Sequence, residues 1–184
     1  MRAFSLIALA SALACGSGGQ VDGSVDGVAL GKVATAAYVL RGEGGRGTTQ
    51  LWLTTDDGFC DTVARSIPVK EQHLLFVELF IAAPDYTFVP GDSAAKYEIA
   101  PARIDVGSRI ADARLLAFGF CASVSHSPLA RSGTIDLQHI RFTSDGKVAE
   151  VSGTIDATFE KGRLQGHFQG AGCDLANPHL VLCP

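Results

Sequence analysis

The sequence predicts an all-β fold: an antiparallel β-sandwich or closed β-barrel with a C-terminal meander and little helix. Three observations carry this expectation. From Glu150 to Glu160 the residues alternate without a break, Val151, Gly153, Ile155, Ala157 and Phe159 on one face and Ser152, Thr154, Asp156 and Thr158 on the other, the pattern of a half-buried antiparallel strand. Ser132-Gly133-Thr134-Ile135-Asp136-Leu137 nearly repeats Ser152-Gly153-Thr154-Ile155-Asp156-Ala157, so a second strand of the same kind precedes it. Finally, 21 glycines and one methionine in 184 residues suit many short strands and turns better than long helices.

Taken in order, residues 1–14 (MRAFSLIALASALA) place one basic residue, Arg2, before an apolar run from Ala3 to Ala14. That run suits a signal peptide and falls short of the about 20 apolar residues that span a bilayer. Ala12-Leu13-Ala14 satisfies the small-x-small cleavage rule, which makes Cys15 the first mature residue. This junction resembles the lipobox of bacterial lipoproteins, in which the cysteine thiol takes a diacylglyceryl group and the freed amine an acyl chain such as palmitate. It departs from that pattern in having Ala12 where leucine is usual. More than one acyl chain would supply stable anchoring. Gly16, rather than Asp, follows Cys15, which in the lipoprotein family favours passage to the outer membrane.

Residues 15–27 then read as the lipidated cysteine and a flexible polar tether, GSGGQVDGSVDG, with the folded domain over 28–184. Asp22 and Asp26 lack the further oxygen ligands of a calcium loop. Residues 33–40 and 49–55 read as a first strand pair, joined by a Gly-rich loop over 42–47 without phosphate-loop spacing. A short helical turn is expected between Cys60 and Ile67.

Leu74 to Ala82 is the most apolar strand. Leu75, Val77, Leu79 and Ile81 share one face; Leu74, Phe76, Glu78 and Phe80 share the other. Glu78 is the odd member, because a buried carboxylate must be paired, neutralised or near water. It could line a ligand pocket with Phe76 and Phe80; the plainer reading places it near a sheet edge or beside an arginine such as Arg114. Short strands follow over Tyr86–Val89 and Lys96–Ala100, residues 104–110 are ambiguous, and Ala113 to Ser125 reads as one further strand. In the meander, the apolar parity changes between Leu137 and Ile140, so a β-bulge near Gln138-His139 is expected to return Ile140 and Phe142 to the core. Lys161-Gly162 turns the chain into a last strand carrying Leu164, Gly166 and Phe168.

With Cys15 set aside, an exported chain keeps four cysteines, Cys60, Cys121, Cys173 and Cys183, enough for two disulfides in any of three connectivities. The net charge of −4 and the lack of any Lys/Arg run disfavour nucleic acid and a polybasic membrane patch. No G-x-S-x-G motif is present. His73, His126, His139, His167 and His179 are scattered without metal-ligand spacing, so no catalytic residue, metal or cofactor is expected and the chain does not read as an enzyme.

The Cys15 junction, Pro90-Gly91 leading to Tyr97, the Gly133-Thr134-Ile135 and Gly153-Thr154-Ile155-Asp156-Ala157-Thr158-Phe159 strands, Leu164-Gln165-Gly166-His167-Phe168 and Cys173 together carry a resemblance. The chain looks like the secreted lipoproteins of unknown function abundant in myxobacteria and related Gram-negative bacteria. The resemblance implies a shared fold without a mechanism, and by analogy it implies pairing of Cys60 with Cys173, leaving Cys121 for Cys183. The expected function is that of an exported, lipid-anchored envelope protein acting as a binding or interaction module toward an envelope protein or small ligand. A purely structural envelope protein is the alternative, and an enzyme of unrecognised type comes third.

Overall fold

The computed structural model describes residues 18–43, 46–65, 72–84, 88–90, 93–118, 124–144, 148–170 and 173. Cys15, Cys121, Cys183 and His179 lie outside them. The chain forms β1 (Gly18–Val25), β2 (Gly31–Val33), β3 (Thr35–Glu43), β4 (Arg46–Thr54), helix α1 (Phe59–Ala64), β5 (Gln72–Ala82), β6 (Phe88–Pro90), β7 (Lys96–Ile99), β8 (Arg109–Phe118), β9 (Val124–His126), β10 (Ser132–Phe142), β11 (Val148–Phe159) and β12 (Gly162–Gly170). All twelve strands belong to one sheet, in the order β2-β1-β12-β11-β10-β7-β8-β5-β4-β3, with β6 beside β5 and β9 beside β8. The fold is therefore all-β with little helix.

The two ends of that order are consecutive in the chain. Only Ala34 separates β2, which pairs with β1, from β3, which pairs with β4, and the Ala34 N–H donates to the Thr54 carbonyl at 2.8 Å. One bent segment thus serves both ends of the sheet and curls it into a nearly closed barrel. Gly170, ending β12, completes the approach: a Cβ there would strike the backbone of Ala36 on β3, so only glycine lets these strands come so close.

The inward faces form one cluster that includes Val21, Val33, Leu51, Val77, Ile135 and Phe168. On β5, Leu75, Val77 and Leu79 enter it, as the alternation requires. The two near-identical strands pair about their own centre. Ile135 faces Ile155, while Thr134 faces Asp156 and Asp136 faces Thr154, so one hexapeptide pattern supplies both sides of an antiparallel contact. Gly153 is the space-making residue, since a Cβ would lie 2.9 Å from the Phe168 ring.

The expected bulge is present: Leu137 faces Gly153 and His139 faces Ser152, leaving Gln138 as the extra residue. Ile140 consequently packs against the core. Phe142 does not, because a second register shift between Arg141 and Phe142 leaves it 42% exposed. That corrects the expectation for Phe142.

The tether expectation is corrected more substantially. Gly18–Val25 is strand β1, paired with β12 along its whole length and with β2 at its start. Val21 and Val25 are buried at 0% and 1% exposure, and burying these two side chains is what holds so polar a segment in the sheet. The folded domain thus includes residues 18–25, and the run Ala113–Ser125 is divided between β8 and β9.

Outside the barrel, α1 is too short to persist alone. Phe59 and Val63 bury against Ala37, Trp52 and Leu74 on the outer face of β3, β4 and β5. The Phe59 ring meets Trp52 edge-on at 5.3 Å. A disulfide joins Cys60 of α1 to Cys173 beyond β12, with the two Cα atoms 5.4 Å apart.

Candidate functional site

Phe76, Glu78 and Phe80 occupy the outer face of β5, opposite the inward Leu75, Val77 and Leu79. Phe76 packs with the cluster under α1, its ring 6.1 Å from Trp52. Glu78 is half-buried and accepts a hydrogen bond from Gln50 Nε2 at 3.3 Å. Its cross-strand neighbours are Gln50 and Asp112, while Arg114 faces Phe76; the amide, rather than the expected arginine, is its partner. Phe80 is half-buried and faces Ile110. The three side chains lie in a row along one strand, and the cleft described next includes none of them.

The histidines also fall in separate places. His73 Nδ1 lies 2.6 Å from the Ala29 carbonyl, His139 Nε2 lies 3.9 Å from Glu150, and His167 is exposed on β12. Among the described residues no three His, Cys, Asp or Glu side chains gather as a metal site would require.

The sheet topology instead builds a cleft of about 600 Å3 at one mouth of the barrel, lined by Val25, Asp26, Ala100, the segment 128–131, Glu160 and Lys161. Its position follows from an interruption in the wall. Between β8 and β10 the wall is β7 at one level; nearer the mouth it is the irregular segment 128–130, whose backbone bonds Leu115 and Ala113. Where β7 ends and this segment crosses toward β10, regular pairing stops and a recess opens.

Two turns form its rim. Asp26-Gly27 closes the β1–β2 hairpin, both residues having positive φ (50° and 83°), with reciprocal bonds between Val25 and Val28 at 2.8 and 2.9 Å. This is the primed hairpin turn that Asp-Gly favours. It docks on the β11–β12 turn, the Asp26 N–H donating to the Lys161 carbonyl at 3.0 Å and Lys161 Nζ lying 3.4 Å from Asp26 Oδ1. A second ion pair, Arg131 with Glu160, crosses the adjoining edge. The floor is apolar: Val25 and Ala130 are buried, and Leu129 is 44% exposed beside Pro128.

Ala100 is unlike the other turn residues. Its φ of 47° is a left-handed conformation that costs an L-residue with a Cβ roughly 1–2 kcal/mol, and the following Pro101 disfavours it further.

The sequence reading missed this site. Asp26-Gly27 between Val25 and Val28 is a hairpin signal in its own right, and it was legible once the preceding segment is read as a strand. The meeting of that turn with residues 128–131 and 160–161 depends on long-range pairing that no local pattern encodes. In comparison with known proteins, the chain matches no family model, no curated protein and no solved structure.

Proposed function

We propose that this chain is an exported envelope lipoprotein, anchored through Cys15, which acts as a binding module through the cleft at the far mouth of its barrel. The carrying observation is the placement of the two ends of β1. Its first residue, Gly18, follows Cys15 after only Gly16 and Ser17, and its last, Val25, forms part of the cleft floor. Seven residue steps of strand separate them, about 23 Å, so an anchor at Cys15 directs the cleft away from the membrane. The Cys60–Cys173 disulfide agrees with export to an oxidising compartment, and the resemblance to myxobacterial lipoproteins supports the same location, facing the periplasm or cell surface from the outer membrane.

The cleft's chemistry favours a partner with both polar and apolar character, such as a segment of an envelope protein or a small amphipathic ligand. Arg131 and Lys161 are each balanced by a carboxylate, and the floor offers Leu129 and Pro128. A polyanion would meet Asp26 and Glu160 as well as the cations.

Photo-crosslinking in the native envelope tests the reading. A photoreactive residue at Leu129 should give a discrete adduct that disappears when Arg131 and Lys161 are both replaced by glutamate, whereas the same probe at Gln165 on the outer wall should give none. No adduct from Leu129 would favour the purely structural envelope protein.

A further inference from the structure

We propose that the opposite rim of the barrel, where β1 begins, docks on the lipid bilayer surface, with Phe142 as the side chain that enters the interface. The inference rests on lipidation of Cys15. Gly18, Gln169, Ser152 and His139 form one cross-strand row over β1, β12, β11 and β10. Cys15 precedes Gly18 of this row by three residues of sequence, and Phe142 lies three residues beyond His139 on β10, on the side of the row at which β1 begins, because β10 is antiparallel to β1 across the intervening strands. Three interstrand spacings separate the two strands, about 14 Å. With Gly16 and Ser17 alone between the acylated cysteine and the sheet, the barrel cannot stand off the membrane, and this rim is what meets it.

Phe142 is suited to that contact by the fold. The second register shift of β10, where Arg141 faces Glu150 and Phe142 faces Val148, turns it out of the core, as bulges re-aim side chains. An aromatic ring left 42% exposed gains by entering the headgroup boundary, where aromatic side chains collect. Among its described neighbours, Arg141 is paired, its Nε lying 3.4 Å from Glu150 Oε2. The chain as a whole has a net charge of −4 and no basic run. Attraction to the surface therefore falls to the acyl chains and the exposed ring rather than to anionic lipid.

The test uses the mature protein extracted from membranes and reconstituted into phosphatidylethanolamine vesicles carrying brominated acyl chains, which quench nearby tryptophan. Wild type supplies the baseline, since its single Trp52 is 2% exposed. Phe142→Trp should show quenching about twofold above that baseline, as expected for a ring seated about 5–10 Å into the interface, and Leu129→Trp at the far mouth should not. Intact mass of each sample reads the anchor separately. Acyl mass at Cys15 with no added quenching from Phe142→Trp overturns the docking alone, as does equal quenching from Leu129→Trp; absence of acyl mass overturns the anchoring and the docking together.

Discussion

Replacing Cys60 and Cys173 together with alanine isolates the contribution of the one disulfide among the described residues. The bond closes a loop of 113 residues, and the chain-entropy relation gives about 4.8 kcal/mol for a loop of that length at 25 °C. Native disulfides deliver about 2–5 kcal/mol on removal, so a loss near 4 kcal/mol is expected. In a domain of this size each kcal/mol lowers the midpoint by about 2–4 °C, which places the fall at roughly 8–16 °C. Urea and thermal unfolding followed by far-UV circular dichroism and by Trp52 fluorescence supply the assay. Trp52 contacts Phe59 of α1, so it reports whether the helix leaves the barrel first. The denaturant slope should rise, because the uncrosslinked unfolded chain exposes more surface. A loss below about 1 kcal/mol with an unchanged slope would show that the bond does not restrain the unfolded chain, since 1 kcal/mol lies well under what such a loop should yield.

Other substitutions test the strained cleft, the close approach and the surface pairing. Ala100→Gly should stabilise the domain by about 0.5–1 kcal/mol, the relief of a left-handed φ exceeding glycine's added unfolded-state entropy; destabilisation in urea titration would contradict the strain. Gly153→Ala should cost about 1–3 kcal/mol through overpacking against Phe168 and the Asp136 backbone, and an unchanged midpoint would deny that contact. Arg163 donates two hydrogen bonds to Asp156, at 2.7 and 2.6 Å. That guanidinium, first through its hydrogen bonds and then through its charge, holds the carboxyl below the usual aspartate range, against a partial opposing effect of desolvation. A depressed carboxylate stabilises above its unfolded pKa and loses that contribution as pH falls through the folded value. Wild type should therefore lose slightly more stability than Asp156→Asn as pH falls below about 4, a small effect because the pair is exposed; parallel pH profiles would contradict it.

The parts of the fold legible in the sequence are those governed by period-two burial. The β10–β12 meander, the inward faces of β5 and the bulge at Gln138 all follow from apolar parity, because a one-residue slip would carry a whole strand's buried set to the wrong face. β1 escaped that logic. Of its eight residues only Val21 and Val25 are buried, and its composition is that of a linker; its stability comes from β12 and β2, which supply the neighbouring walls. Barrel closure likewise depends on Ala34 passing one segment from β1's side to β4's, a long-range event with no local signature. Phe142 was misplaced because one bulge restores parity and a second reverses it. The cleft was illegible for a related reason: its residues belong to two turns and a crossing segment brought together by pairings across most of the chain. Residue arithmetic left three connectivities undecided, and the pairing of Cys60 with Cys173 was implied by the lipoprotein resemblance alone.

Whether Cys15 holds the barrel at the bilayer is read from the intact mass of the protein extracted from its native membrane. The extracted chain should begin at Cys15 and carry diacylglyceryl and acyl mass, absent from Cys15→Ala. An unmodified mature chain, or one whose N-terminus lies elsewhere, would contradict the anchoring.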